Sequence, residues 1–212
     1  MNQLDDSVGK QIMHEIGRIT LLQVQPSSLK IEQHGYALYD PTPLIVVKSL
    51  LVAPGGVTGV TEAGKQIIDV HHIHHPRSHN HNGKNGVSIG FTSHYETMRH
   101  RFGDHLVNGC AGENILVEAD CILKLSDLGS RLAIQTQKTG QFVYLTRLKV
   151  AAPCVEFSQF AANHGMALPA DQLKETLQFL HAGRRGFYAT VADESDQMMV
   201  QLGDRVFVDD KE

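Results

Sequence analysis

The chain has 212 residues, 42% of them hydrophobic and 20% charged, so it can bury a core without disulfide staples and reads as one globular domain. A net charge of -4 offers no electrostatic footing for nucleic acid or an anionic membrane surface, and no apolar run approaches the length of a bilayer span. The acidic start, Met1-Asn2-Gln3-Leu4-Asp5-Asp6, lacks the apolar stretch of a secretory signal. The three cysteines, Cys110, Cys121 and Cys154, form no Cys-x-x-Cys pair, which argues against a disulfide framework or structural zinc and fits a cytoplasmic location.

Residues 1–16 read as a polar lead-in, with a helical turn expected over residues 11–16. Branched residues over 18–24 predict a strand, broken at Pro26-Ser27-Ser28. A longer apolar strand is expected over residues 43–52, ended by the Pro54-Gly55-Gly56 turn. Residues 57–86 are the least regular part and carry His71, His72, His74, His75, His79 and His81. Imidazole is a common metal ligand, and His72 and His74 are the candidates here. The Pro, Ser, Asn and Gly content instead points to a mobile loop, and no His-Glu-x-x-His helix is present.

Residues 86–91 predict a short strand. Ser93-His94-Tyr95-Glu96 then has capping-box spacing, opening a helix that stops at Gly103. Gly109 and Gly112 precede Glu113-Asn114 at a strand start, a pattern that suits a tight turn or a ligand cradle equally well. Residues 128–134 and 202–208 have nearly the same Leu-Gly turn-to-strand form. Residues 141–150 alternate with period two, which groups Phe142, Tyr144, Leu148 and Val150 on one face and Val143, Leu145, Arg147 and Lys149 on the other.

That strand delivers the chain to Pro153-Cys154. A cysteine there is either a small buried hydrophobe or a thiol presented at a strand end to a ligand. Phe157, Phe160 and Ala161 have helical spacing up to Gly165, and Leu173, Leu177 and Leu180 mark a second helix with Gly183 after its end. Arg184-Arg185 leads into a last group of strand-forming residues, as a surface pair or a grip on phosphate or carboxylate. Many short strands, glycine turns and few helices, with no strand-helix-strand alternation and no Rossmann or P-loop fingerprint, predict a mainly β protein: a β-barrel with peripheral short helices.

Gly112-Glu113-Asn114 after a helix, residues 128–134, the strand ending in Pro153-Cys154, and Arg184-Arg185 followed by Gly203-Asp204 resemble, in this order, the MOSC family. That domain is named after the C-terminal part of molybdenum-cofactor sulfurase. The resemblance is strongest over about residues 40–208. Ser130 departs from it, standing where the family usually has Asp, and the polar histidine-rich loop and the helical insert over residues 157–183 depart as well.

The resemblance implies a MOSC-like β-barrel and puts Cys154 at the family's characteristic cysteine. It implies either a ligand to molybdenum held by molybdopterin, reducing N-hydroxylated compounds, or a persulfide carrier. In the first case Asn114, with Glu113, is the candidate pterin contact, Arg184 or Arg185 would meet the cofactor phosphate, and His94 would be a pocket residue. The electrons would come from a separate electron-transfer protein. In the second case the sulfur would come from a pyridoxal phosphate-dependent cysteine desulfurase. A third reading, of another class, is a non-catalytic metal-binding protein using the loop from His71 to His81.

Overall fold

The computed structural model describes residues 13–33, 35–80, 82–192 and 197–209. Residues 1–12 of the expected lead-in lie outside these. Residues 13–16 belong to a strand, not to the helical turn expected there.

In chain order the strands begin with β1 (Met13–Val24), β2 (Lys30–Gln33), β3 (Tyr36–Tyr39), β4 (Ile45–Val46), β5 (Ser49–Ala53), β6 (Gly56–Val60), β7 (Gln66–Ile68) and β8 (Val87–Phe91). Helix α1 (Thr92–Phe102) follows, then β9 (Ile115–Glu118), a single 3-10 turn (Leu125–Asp127), β10 (Arg131–Gln135) and β11 (Phe142–Val150). Helices α2 (Val155–Asn163) and α3 (Ala170–His181) come next, then β12 (Phe187–Val191), β13 (Met198–Gln201) and β14 (Arg205–Asp209).

Seven strands in the order β14-β10-β11-β12-β8-β9-β1 close into a barrel, because β1 pairs back onto β14. Closure removes the edges that an open sheet would leave unpaired. The similar turn-to-strand segments over 128–134 and 202–208 become antiparallel neighbours, with Leu132 opposite Val208. β1 can serve two partners because its first half pairs with β14 and its second with β9. At the crossing, a Cβ on Gly17 would lie 1.9 Å from the Glu118 carbonyl oxygen, so only glycine permits this approach.

β8 and β9 pair in parallel and α1 connects them, so one strand-helix-strand unit exists where the sequence pattern shows none. The long strand expected over residues 43–52 is split into β4 and β5, and β5, β6, β7 and β13 form a second sheet. The barrel interior is filled by Leu22, Ile89, Phe91, Ile115, Leu132, Val143, Leu145 and Phe187. A second apolar cluster, with Tyr39, Tyr95, Met98, Cys110 and Phe157, packs the helices onto the barrel.

Two local expectations are corrected. The Ser93–Glu96 capping box does not form. Helix α1 starts two residues earlier, behind Phe91, with no side-chain cap, and the Ser93 hydroxyl donates to the Cys121 carbonyl at 2.8 Å. In β11, Arg147 adopts a φ of +52° and the register with β12 slips between Thr146 and Lys149. This bulge reverses the alternation, so Leu148 and Val150 pack on the same core as Val143 and Leu145, not with Phe142 and Tyr144.

Among the described residues the histidine-rich stretch contains no regular element after β7, yet it is held by a succession of turns in which a side chain accepts from the backbone N–H two residues on. Asp69 does so for His71, the His72 imidazole for His74, the His75 imidazole for Arg77, and Ser78 for Asn80. No helix among the described residues is long and apolar enough to cross a membrane.

Candidate functional site

The site is built on the turn between α1 and β9. Gly112 sits at φ +91°, and a Cβ there would come within 2.9 Å of the Leu29 side chain. Asn114, 1% exposed, is wholly engaged. Its Oδ1 accepts from the Ser88 N–H at 3.0 Å and the Ser88 hydroxyl at 2.9 Å. Its Nδ2 donates to Asp69 Oδ2 at 2.8 Å and to the Gln23 carbonyl at 3.3 Å. Asp69 is fully buried and also accepts from the Gln25 N–H at 2.7 Å and from the backbone and ring of His71 at 2.9 Å each. This network ties β1, β8 and the histidine-rich stretch together at one point.

Glu113 is buried against α1. Its Oε2 accepts from the Tyr95 hydroxyl at 2.7 Å, while Oε1 has no partner. Burial pushes its carboxyl above the usual range, and the Tyr95 hydrogen bond and the Arg185 charge pull it partly back.

Cys154 is the N-cap of α2. Strand β11 and Pro153 set its extended backbone, and Sγ accepts from the Phe157 N–H at 3.4 Å, so the thiol faces the positive end of a helix. Beside it Lys30 pairs with Glu156 at 2.8 Å. Cys110, by contrast, is buried and its thiol is pushed up to about 12 by desolvation, and Cys121 is exposed on the surface. Cys154 is the half-exposed thiol between these extremes.

Cys154 opens onto a cavity of about 420 Å³ lined also by Glu113, Arg185, Tyr39, Tyr188, Lys30 and His71. The Arg185 guanidinium donates to the Ala111 carbonyl at 3.3 Å and stands 5.5 Å from the Phe157 ring, with its Nε unpartnered. The structure therefore brings Cys154, Glu113 and Arg185 together. Asn114 does not line the cavity but sits behind it, orienting Ser88 and Asp69.

Arg184 turns away: it donates to the Phe179 carbonyl at 2.8 Å and stacks 4.2 Å from that residue's ring. His94, 1% exposed, is not a pocket residue; Nε2 donates to the Leu123 carbonyl at 2.9 Å, and its ring packs edge-on against Phe91. Burial pulls His94 down to about 4. The rings of His72 and His74 lie 5.4 Å apart, but among the described residues no three His, Cys, Asp or Glu side chains converge on a metal position. His81 lies outside the described residues.

Asp69, Tyr39 and Lys30 are site residues that sequence reasoning does not single out, and His71 was named there only as a member of the histidine-rich loop. For Asp69 the signal was present, since an Asp two residues before a His can close an Asx turn. For Tyr39 and Lys30, on the β2–β3 hairpin, no local signal exists.

Comparison with known proteins agrees with this architecture. The barrel is similar to the YuaD protein of Bacillus subtilis, with 15% identity, coverage of 96% of this chain and 99% of that one, and a TM-score of 0.55. A second solved structure, of a hypothetical protein, is 12% identical, covers 94% of this chain and 69% of its own, and has a TM-score of 0.49. No curated protein matches. Residues 76–207, more than half the chain and spanning β8 to β14 with Cys154 and Arg185, match the MOSC domain, and the protein belongs to the MOSC domain family.

Proposed function

We propose that this protein binds the molybdenum cofactor in the cavity beside Cys154 and reduces N-hydroxylated compounds, with electrons from a separate electron-transfer protein. The observation that carries the reading is the position of Cys154 Sγ: at the N-terminus of α2, half-exposed, and opening onto a cavity that Arg185 also lines. A thiolate is the soft ligand that molybdenum takes. The residues fit the group. Arg185 is a planar multi-donor cation with a free Nε for the cofactor's phosphate, and Glu113 Oε1 is a buried polar atom in need of a partner.

When bound, the cofactor would supply oxygen-atom and two-electron chemistry at its metal. The protein's own contributions are binding and orientation. The Phe157 N–H directs Sγ, the Lys30 ammonium is paired with Glu156, and Lys30, Tyr39 and Tyr188 line the same cavity as the thiol. Asn114 acts one layer back, through Ser88 and Asp69. Three free thiols suit the reducing cytoplasm.

The second reading, a persulfide on Cys154 supplied by a pyridoxal phosphate-dependent cysteine desulfurase, draws on the same N–H contact. A terminal sulfur anion at a helix N-terminus is favoured for the same electrostatic reason.

The test is the molybdenum and pterin content of protein made in a cofactor-competent host. Near-stoichiometric metal that Cys154→Ala removes supports the first reading. Metal-free protein that gains one sulfur on Cys154 after incubation with a desulfurase and cysteine replaces it with the second.

A further inference from the structure

We propose that His71, held by Asp69, is a ligand-binding residue of the Cys154 cavity, its Nε2 accepting a hydrogen bond from a donor group on whatever occupies that cavity. The inference rests on the reading of this cavity as the ligand site and adds a residue from outside the stretch that matches the family, which begins at residue 76.

The geometry points to it in three steps. Asp69 is fully buried and carries no donor of its own as a carboxylate, so the 2.9 Å contact between its Oδ1 and His71 Nδ1 requires the ring proton on Nδ1. In the neutral imidazole Nε2 is then a bare acceptor, and it has no partner among the described residues. The ring is also fixed in place. The His71 N–H donates to the same Asp69 oxygen at 2.9 Å, Asn80 Nδ2 donates to the His71 carbonyl at 2.8 Å, and the ring stands 5.9 Å from Tyr188. His71 and Cys154 line the same cavity, and so does Arg185.

Arg185 offers only donors and His71 offers an acceptor. The cavity therefore selects a ligand that carries an anionic or carbonyl oxygen for the guanidinium and an N–H or O–H for the imidazole. Asp69 is a positioning residue in this scheme, since it acts through His71, and Asn114 in turn holds Asp69.

The test is site-resolved labelling of the whole protein with diethylpyrocarbonate, which attacks a bare imidazole nitrogen, before and after Cys154 is alkylated with N-phenylmaleimide. The adduct is tethered at Sγ and stands in for a ligand. His71 labelling should fall at least ten-fold once Cys154 carries the adduct, while labelling of the exposed His100 stays unchanged. If His71 labels equally with and without the adduct, or does not label while His100 does, the inference is wrong.

A second arm uses protein made in a cofactor-competent host. His71→Ala should retain at least ten-fold less molybdenum than wild type, and His71→Gln, whose amide oxygen can accept in place of Nε2, should recover most of that. Equal molybdenum content in wild type and His71→Ala would overturn the contact. If wild type itself holds no molybdenum, the cofactor reading fails, and the labelling experiment alone decides the role of His71.

Discussion

His94 makes the stability of this fold fall in mild acid, by an amount that can be worked out. The side chain is 1% exposed, its Nε2–H donates to the Leu123 carbonyl, and its Nδ1 has no partner. Protonation would place a charge at Nδ1 between the Phe91 and Phe187 rings with nothing to accept the proton. Burial, with a smaller contribution from the Arg184 charge, therefore holds its pKa at about 4 against an ordinary 6.5. The unfolded chain takes up a proton on this ring as pH falls below 6.5, and the folded chain does not until about 4. The unfolded state thus binds more protons across this window, and folding stability declines as pH falls through it. The cost is about 2 kcal/mol by pH 5 and about 3 kcal/mol by pH 4.

Urea unfolding of wild type and His94→Gln at pH 7 and pH 5 isolates this group, because every other titration is shared by the two proteins. The wild type should lose about 2 kcal/mol more than the variant between the two pH values. Equal losses would mean that His94 is hydrated or partnered in solution and that its burial here is misjudged.

Asn114→Ala should cost about 3 kcal/mol in urea unfolding, since it leaves Asp69 Oδ2 and the Ser88 donors short of a buried partner, and a loss below about 1 kcal/mol would refute the network. Gly17→Ala should cost about 3 kcal/mol, because its Cβ would overlap the Glu118 carbonyl and drive β1 from β9. At Arg147, Val should destabilise the fold by about 2 kcal/mol relative to Gly in the same assay, as a β-branched side chain opposes the positive φ of the bulge, and equal stability would remove the bulge from solution. Glu113→Gln should flatten a decline in stability with rising pH. A folded carboxyl with a raised pKa keeps its proton where the unfolded one has lost it, so the wild type alone weakens as pH rises past the ordinary carboxylate range.

Much of the barrel was legible in the sequence because strand and turn signals are local. Branched runs bounded by glycine marked β8, β10, β11, β12 and β14. Gly103, Gly112, Gly165, Gly183 and Gly203 all have positive φ, the conformation that made them readable as stops and turns. The Pro153-Cys154 step was legible for the same reason: a strand, a proline and a helix start are each local, and together they place the thiol at a helix N-terminus.

The candidate site was legible only in part. Arg184 and Arg185 are adjacent and alike in sequence, yet one stacks on Phe179 and the other lines the cavity, because in the turn before β12 the Phe179 carbonyl holds the first guanidinium and the Ala111 carbonyl, 74 residues away, holds the second. The Ser93–Glu96 spacing suited a cap, but the Cys121 carbonyl, 28 residues away, took the Ser93 hydroxyl. Asn114 was singled out for a ligand, and partners 26, 45 and 91 residues away claimed its amide.

By itself, then, the sequence determined a β-barrel of the MOSC type with one cysteine at the head of a helix, since periodicity, glycine turns and short motifs act within a few residues. Only the tertiary structure decided which polar groups reach Cys154. It buried His94, turned Arg184 away, moved Leu148 and Val150 across the sheet through the bulge at Arg147, and brought His71 in from the histidine-rich stretch. The reason is that a side chain's direction is set by strand register and by hydrogen-bond partners far away in the chain, and no local pattern carries that information.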